Sequence, residues 1–159
     1  LTAFAVKQNL AHKPFTAKSQ SRKGDEIIED NLNRDQLIAL SKIILNSCME
    51  VHKEVGPGLL ESVYVECLKT EFQVRKVHCA AEVPINLEYK GHKLEKALRL
   101  DILVENSIIL EIKAVEKLLP VHEAQIISYL KLADKRLGFL VNFNTALLKN
   151  GFRRFVNNF

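Results

Sequence analysis

Two apolar runs separated by Glu105-Asn106-Ser107 limit what residues 99–113 can become. Strand side chains alternate between faces with a period of two, so Leu100, Ile102 and Val104 share one face of the first run. Ile108, Leu110, Ile112 and Ala114 do the same on the second. The opposite faces carry Arg99, Asp101 and Leu103 on the first run, and Ile109, Glu111 and Lys113 on the second. The pattern predicts an antiparallel hairpin, and its loop length decides the chemistry. A three-residue loop pairs Val104 with Ile108, which sets Asp101 opposite Glu111 and Arg99 opposite Lys113. A two-residue loop would set Asp101 opposite Leu110 and send the two acids to different faces.

Two facing carboxylates repel, which destabilises a strand pair and raises one of the two pKa values. A divalent cation removes the conflict, because Mg²⁺ takes a few carboxylate oxygens together with waters and substrate phosphates. Lys113, two residues beyond Glu111, points the same way. Its ammonium could hold an attacking water or offset charge on a phosphate. The bland alternative is a solvated sheet face with a cross-strand salt bridge, the commoner meaning of an isolated D…ExK.

Bulk properties narrow the class. The chain has 159 residues, enough for one domain with a sizeable core. No apolar run approaches the roughly 20 residues that a membrane helix needs, and no signal-peptide core is present. Cys48, Cys67 and Cys79 are odd in number and lack CxxC spacing, which points to reduced core thiols in a cytoplasmic protein. The net charge of +4 is misleading, because residues 1–24 hold Lys7, Lys13, Lys18, Arg22 and Lys23 and no acid. From the chain's 23 basic and 19 acidic residues, 18 and 19 are left for the rest. Global charge therefore neither supports nor excludes a nucleic-acid face; only a local patch could.

Residues 1–35 are polar and lack sustained periodicity, so they are expected to form a flexible tail, with the folded domain over residues 36–159. The acid-free basic start faintly resembles a transit peptide, and the first residue is Leu rather than Met, as in a fragment or processed chain. A helix is expected from Asp35, with Leu37, Leu40, Ile44, Cys48, Val51 and Val55 as its apolar stripe. Gly56-Pro57-Gly58 ends it. A second helix should bury Leu60, Val63, Cys67 and Leu68, with Glu61 and Tyr64 sharing a face near its start. Glu61 could simply favour the helix dipole there, and Tyr64 could be an amphipathic edge residue. Residues 81–90 read as a strand, placed at an edge or a strand start by Pro84, and Gly91 turns the chain into the next. Pro120 opens a third helix running to about Asp134, with Ile126, Ile127, Leu130 and Ala133 buried. His122, Gln125 and Tyr129 form a polar line on it, more often a wet face than a site. Residues 137–143 suit a buried strand, and residues 152–156 a short edge strand bearing Arg153 and Arg154. The order ααβββαβ, with a crossover after Glu111, predicts an α/β fold with a mixed central sheet flanked by helices.

Gly58-Leu59-Leu60-Glu61-Ser62-Val63-Tyr64 spells GxxExxY, and Asp101, Glu111-x-Lys113, His122, Gln125 and Tyr129 follow in order. Over roughly residues 37–156 this resembles the GxxExxY protein family of the PD-(D/E)xK nuclease superfamily. The resemblance implies a restriction-endonuclease-like core in which Asp101 and Glu111 bind Mg²⁺ or Mn²⁺ and Lys113 is catalytic. It also implies that Glu61 is a helix-borne acid beside the metal, that Gln125 is a polar residue of the site, and that Tyr129 supports Gln125. The residue before Asp101 is Leu100, so the proline of the superfamily's name is missing.

The expected activity is metal-dependent hydrolysis of phosphodiester bonds in nucleic acid, DNA in preference to RNA. Asp101, Glu111 and the backbone carbonyl of Ile112 would be the ligands, with Glu61 as a further one. Tyr64, Arg99, His122 and Tyr129 would play supporting parts. Two rivals remain: a catalytically inactive nucleic-acid- or protein-binding module on the same fold, and a small structural partner in a larger assembly.

Overall fold

The computed structural model describes residues 32–94 and 98–159, so most of the expected tail lies outside the described residues. Helix α1 spans Arg34–Val55 and opens one residue ahead of the expected start. Asn33 and Gln36 form a capping box, each side chain accepting the other's backbone amide at 2.9 and 2.8 Å, which satisfies two amides that a helix start leaves free. Gly56 closes it, with a left-handed φ of 67° and its amide on the His52 carbonyl. Helix α2 spans Glu61–Val74 and α3 spans Pro120–Leu132.

Among the described residues, seven strands accompany the helices: β1 (Cys79–Ile85), β2 (Glu88–Tyr89), β3 (His92–Lys93), β4 (Leu98–Val104), β5 (Ile108–Lys113), β6 (Leu137–Asn142) and β7 (Phe152–Val156). Five form one sheet in the order β1-β4-β5-β6-β7. Only β5 and β6 run parallel, and α3 is their crossover. The short β2 and β3 pair separately, so the single strand expected over residues 81–90 is divided. Pro84 lies on the edge strand β1, where a missing amide does least harm. The hairpin register is the expected one: Val104 pairs with Ile108 and Ile102 with Leu110 across a three-residue loop.

Apolar layers cover both faces of the sheet. On one, Leu37, Leu40, Ile44, Tyr64, Leu68 and Phe72 from α1 and α2 pack on Ile102, Val104, Ile108, Leu110, Ile112 and Phe139. On the other, Ile126, Tyr129 and Leu130 of α3 pack on Leu103, Ile109 and Leu140. The result is a three-layer α/β fold with a mixed sheet between helices, as the sequence predicts.

Several side chains depart from the expected burial. Helix α2 buries Tyr64, Leu68 and Phe72, which recur every four residues, whereas Leu60 and Val63 are exposed. Val55, the last residue of α1, and Ile127, at the lateral margin of its stripe, are also exposed. Leu100 joins the α3 layer rather than the layer of Ile102 and Val104. Both β1 and β4 change faces at one level: Cys79 packs with the α1–α2 layer, but Val83, Ile85, Leu98 and Leu100 pack with α3. The cause is local. Glu82 has a left-handed φ of 51°, and the pairing passes from Ala81↔Ile102 to Val83↔Leu100 without a Glu82–Asp101 rung. A left-handed residue rolls an extended chain about its axis, much as a bulge does.

Candidate active site

Asp101 lies at this roll, and the ladder between β4 and β5 ends one pair earlier. Beyond that point β5 has an edge free of β4. The Asp101 carboxylate fills part of it, its Oδ2 accepting the Ile112 amide at 2.7 Å. The amide and carbonyl of one strand residue face the same edge, so the Ile112 carbonyl also points toward Asp101. The next amide on that edge, Ala114 N–H, goes to Oε1 of Glu61 at 3.2 Å. Asp101 and Glu61 thus take successive amides along one edge, with the Ile112 carbonyl between them.

Glu61 reaches this place because of the two other residues of its motif. Gly58 has a φ of 96° that side chains rarely adopt. Tyr64 is fully buried and stacked on Phe143 at 4.3 Å. Its hydroxyl donates to the Gly56 carbonyl at 2.7 Å and accepts from the Leu59 amide at 3.1 Å. Tyr64 therefore latches the turn leading into α2, and the first turn of that helix presents Glu61.

Glu111 and Lys113 stand on the α3 side of β5. Glu111 is 2% exposed; Oε1 accepts from Nζ of Lys113 at 2.9 Å, and Oε2 has no hydrogen-bond partner among the described residues. Burial above all, and then the Asp101 charge, push the Glu111 pKa up to about 7 against the pull of Lys113. Asp101 is raised as well, chiefly by burial, with the Ile112 amide and Lys113 opposing. For Lys113, burial works to lower the pKa, but the bond to Glu111 and the charges of Glu111, Asp101 and Glu61 outweigh it, and the pKa rises.

An orphaned carboxylate oxygen in so buried a place is costly unless something positive meets it. The donor set around it, two carboxylates and a backbone carbonyl, fits a hard divalent cation that completes its shell with water and phosphate. Among the described residues no three His, Cys, Asp or Glu side chains form a metal cluster.

The other expected residues are placed as follows. Gln125 donates to the Tyr129 hydroxyl at 3.0 Å on the α3 layer. His122 accepts the Leu119 amide at 3.0 Å and so serves the start of α3. Arg99 does not face Lys113. The β4–β5 ladder ends before it, and it lies across from Pro84, exposed and 3.8 Å from Glu82, a distance at which a solvated pair contributes little. An open groove along α2, lined by Ser62, Val63, Glu66, Cys67 and Thr70, shares none of these groups.

Two residues escaped the sequence reading. Asn142 is buried at the end of β6 and holds Val115 through both ends of its amide; a lone polar residue in the run Leu137–Asn142 was the available signal. Glu82, which rolls the strands, gave none.

No curated protein and no solved structure matches the chain. The family model of the PD-(D/E)XK nuclease superfamily matches residues 38–155, nearly all of the described residues, with every strand of the sheet inside it or ending one residue beyond. By that match and by this arrangement of helices on a mixed sheet, the chain belongs to the PD-(D/E)XK nuclease superfamily.

Proposed function

We propose that this protein is a Mg²⁺- or Mn²⁺-dependent nuclease of the GxxExxY group that hydrolyses phosphodiester bonds, in DNA in preference to RNA. The observation that carries the reading is Glu111: a buried carboxylate with one oxygen on Lys113, the other without a partner among the described residues, and Asp101 raising its pKa. In a structural salt bridge both oxygens would be satisfied.

Asp101, Glu111 and the Ile112 carbonyl would hold the cation, with Glu61 on the adjoining amide as a further ligand. When bound, the cation lowers the pKa of a coordinated water and stabilises charge on the phosphate and leaving oxygen. Lys113 orients the attacking water and balances charge at the scissile phosphate. Its ammonium is held ready by Glu111 Oε1, in a half-buried position where water competes weakly. Gln125, steadied by Tyr129, positions substrate beside the lysine. Arg99, exposed and beside Glu82 rather than facing Lys113, has no assigned step in this chemistry. The three free thiols suit a reducing compartment, and we place the protein in the cytoplasm.

Labelled single- and double-stranded DNA and RNA, incubated with Mn²⁺ or with EDTA, test the reading. Cleavage should require Mn²⁺ and should fall at least about 100-fold in Glu111→Ala. Equal cleavage by that variant would mean that another protein cut the substrate. Wild-type binding without cleavage would leave the inactive binding module as the better account.

A further inference from the structure

We propose that Asn142 is a positioning residue for this site, acting through the backbone of Ala114 and Val115; the inference rests on the nuclease reading above. Strand residues turn their amide and carbonyl alternately to the two edges. The Lys113 carbonyl faces β6 and accepts the Phe143 amide at 2.9 Å. Ala114 faces the other edge, where Glu61 meets its amide. Val115 must face β6 again, but β6 has ended and its backbone has turned away. The Asn142 side chain takes over. Its Oδ1 accepts the Val115 amide at 3.0 Å and its Nδ2 donates to the Val115 carbonyl at 2.8 Å. One carboxamide thereby replaces a peptide group and extends β5 past the last paired residue.

Asn142 is well anchored for this. It is 2% exposed, pairs with Lys113 in the parallel register, and sends its own amide to the Gly151 carbonyl at 2.9 Å. Only glycine fits at 151, because a Cβ there would collide with the Asn142 carbonyl. Among the described residues no hydrogen bond joins Asn142 to Asp101, Glu111, Glu61 or the Lys113 ammonium. Its effect must pass through the chain: with Val115 held, the Ala114 amide is aimed at Glu61 and the stem of Lys113 is fixed on both sides. Aspartate cannot donate to the Val115 carbonyl, and leucine can make neither bond.

The test compares Asn142→Asp and Asn142→Leu with wild type for Mn²⁺ affinity and for kcat and KM on DNA. Partners that orient ligands indirectly typically change metal affinity or activity by about 10–100-fold when lost. We expect kcat and Mn²⁺ affinity each to drop about tenfold or more in both variants, with KM for DNA within about threefold. In a Glu61→Ala background the same substitutions should cost markedly less, because Asn142 acts, through Val115, on the Ala114 amide that Glu61 takes. A folded variant that melts earlier yet keeps wild-type Mn²⁺ affinity and kcat would show a merely structural role and overturn the proposal. So would losses that simply multiply in the double variants. Should both variants fail to fold, hydrogen exchange on wild type decides: the Ala114 and Val115 amides should be as protected as those of β5, and exchange at an open-chain rate would refute the clamp. Wild type without Mn²⁺-dependent cleavage would instead remove the nuclease reading itself.

Discussion

Glu111 is where the chemistry and the stability of this protein pull against each other. Folded, it holds its proton up to a pH of about 7; unfolded, it releases it near the ordinary 4.5. Between those values the folded state binds more protons, so stability falls as pH rises through the window, and the full penalty stands above it. Asp101 adds in the same direction, while the raised Lys113 keeps its proton throughout. Without metal, Glu111→Gln should therefore be more stable than wild type at pH 8, by about 1–3 kcal/mol, and lose that advantage near pH 4.5. Denaturant melts of both proteins in EDTA at the two pH values measure this, and a variant less stable at pH 8 would contradict it. Strand alternation put Asp101, Glu111 and Lys113 on one face only if the hairpin loop had three residues; the sequence left that length open, and the Val104–Ile108 pairing decides it. The role of Tyr64 was not legible in the sequence, since a helix position says nothing of a hydroxyl reaching back to the Gly56 carbonyl. Asn142 was hidden for a related reason: its partners lie 27 residues away, joined by a parallel pairing that sequence reveals only as a crossover.

At the scale of elements, periodicity found α1, α3, the β4–β5 hairpin and even the edge strand β7. It failed where two elements bend together. Alternation assumes that a strand keeps its faces, yet β1 and β4 exchange theirs at Glu82 and Asp101. Likewise, Leu68 is buried in α2 as expected, but the turn latched by Tyr64 sets Tyr64 and Phe72 beside it in place of Leu60 and Val63. The strand roll has a measurable consequence. Glu82 is exposed and left-handed, a conformation that costs a side-chain-bearing residue about 1–2 kcal/mol and glycine almost nothing. Glu82→Gly should keep the fold and the activity, with stability within about 1 kcal/mol of wild type, because relieved strain offsets the greater freedom of glycine when unfolded. Glu82→Val should lose about 1–2 kcal/mol and lower the cleavage rate as well, since a β-branched residue resists the roll that turns Asp101 toward β5. Equal activity in the two variants would separate Asp101's placement from the strand roll.

The whole molecule separates its folding from its proposed cation. Two continuous apolar layers grip the sheet from both faces, and neither includes Asp101, Glu111 or Lys113, so the domain does not need metal to close its core. The cation then adds stability only through binding, as RT ln(1 + [L]/Kd). With Mn²⁺ at a hundred times its dissociation constant, the gain is about 2.7 kcal/mol, or roughly 10 °C in Tm for a domain of this size. Binding must also expel the proton that Glu111 holds below a pH of about 7. The Mn²⁺-induced shift should therefore be larger at pH 8 than at pH 6, vanish on adding EDTA without unfolding the protein, and be absent in Asp101→Asn. Thermal melts with and without Mn²⁺ at the two pH values read all three. A shift of equal size at both values would mean that the cation binds away from Glu111, and a shift retained in Asp101→Asn would remove that carboxylate from the ligand set.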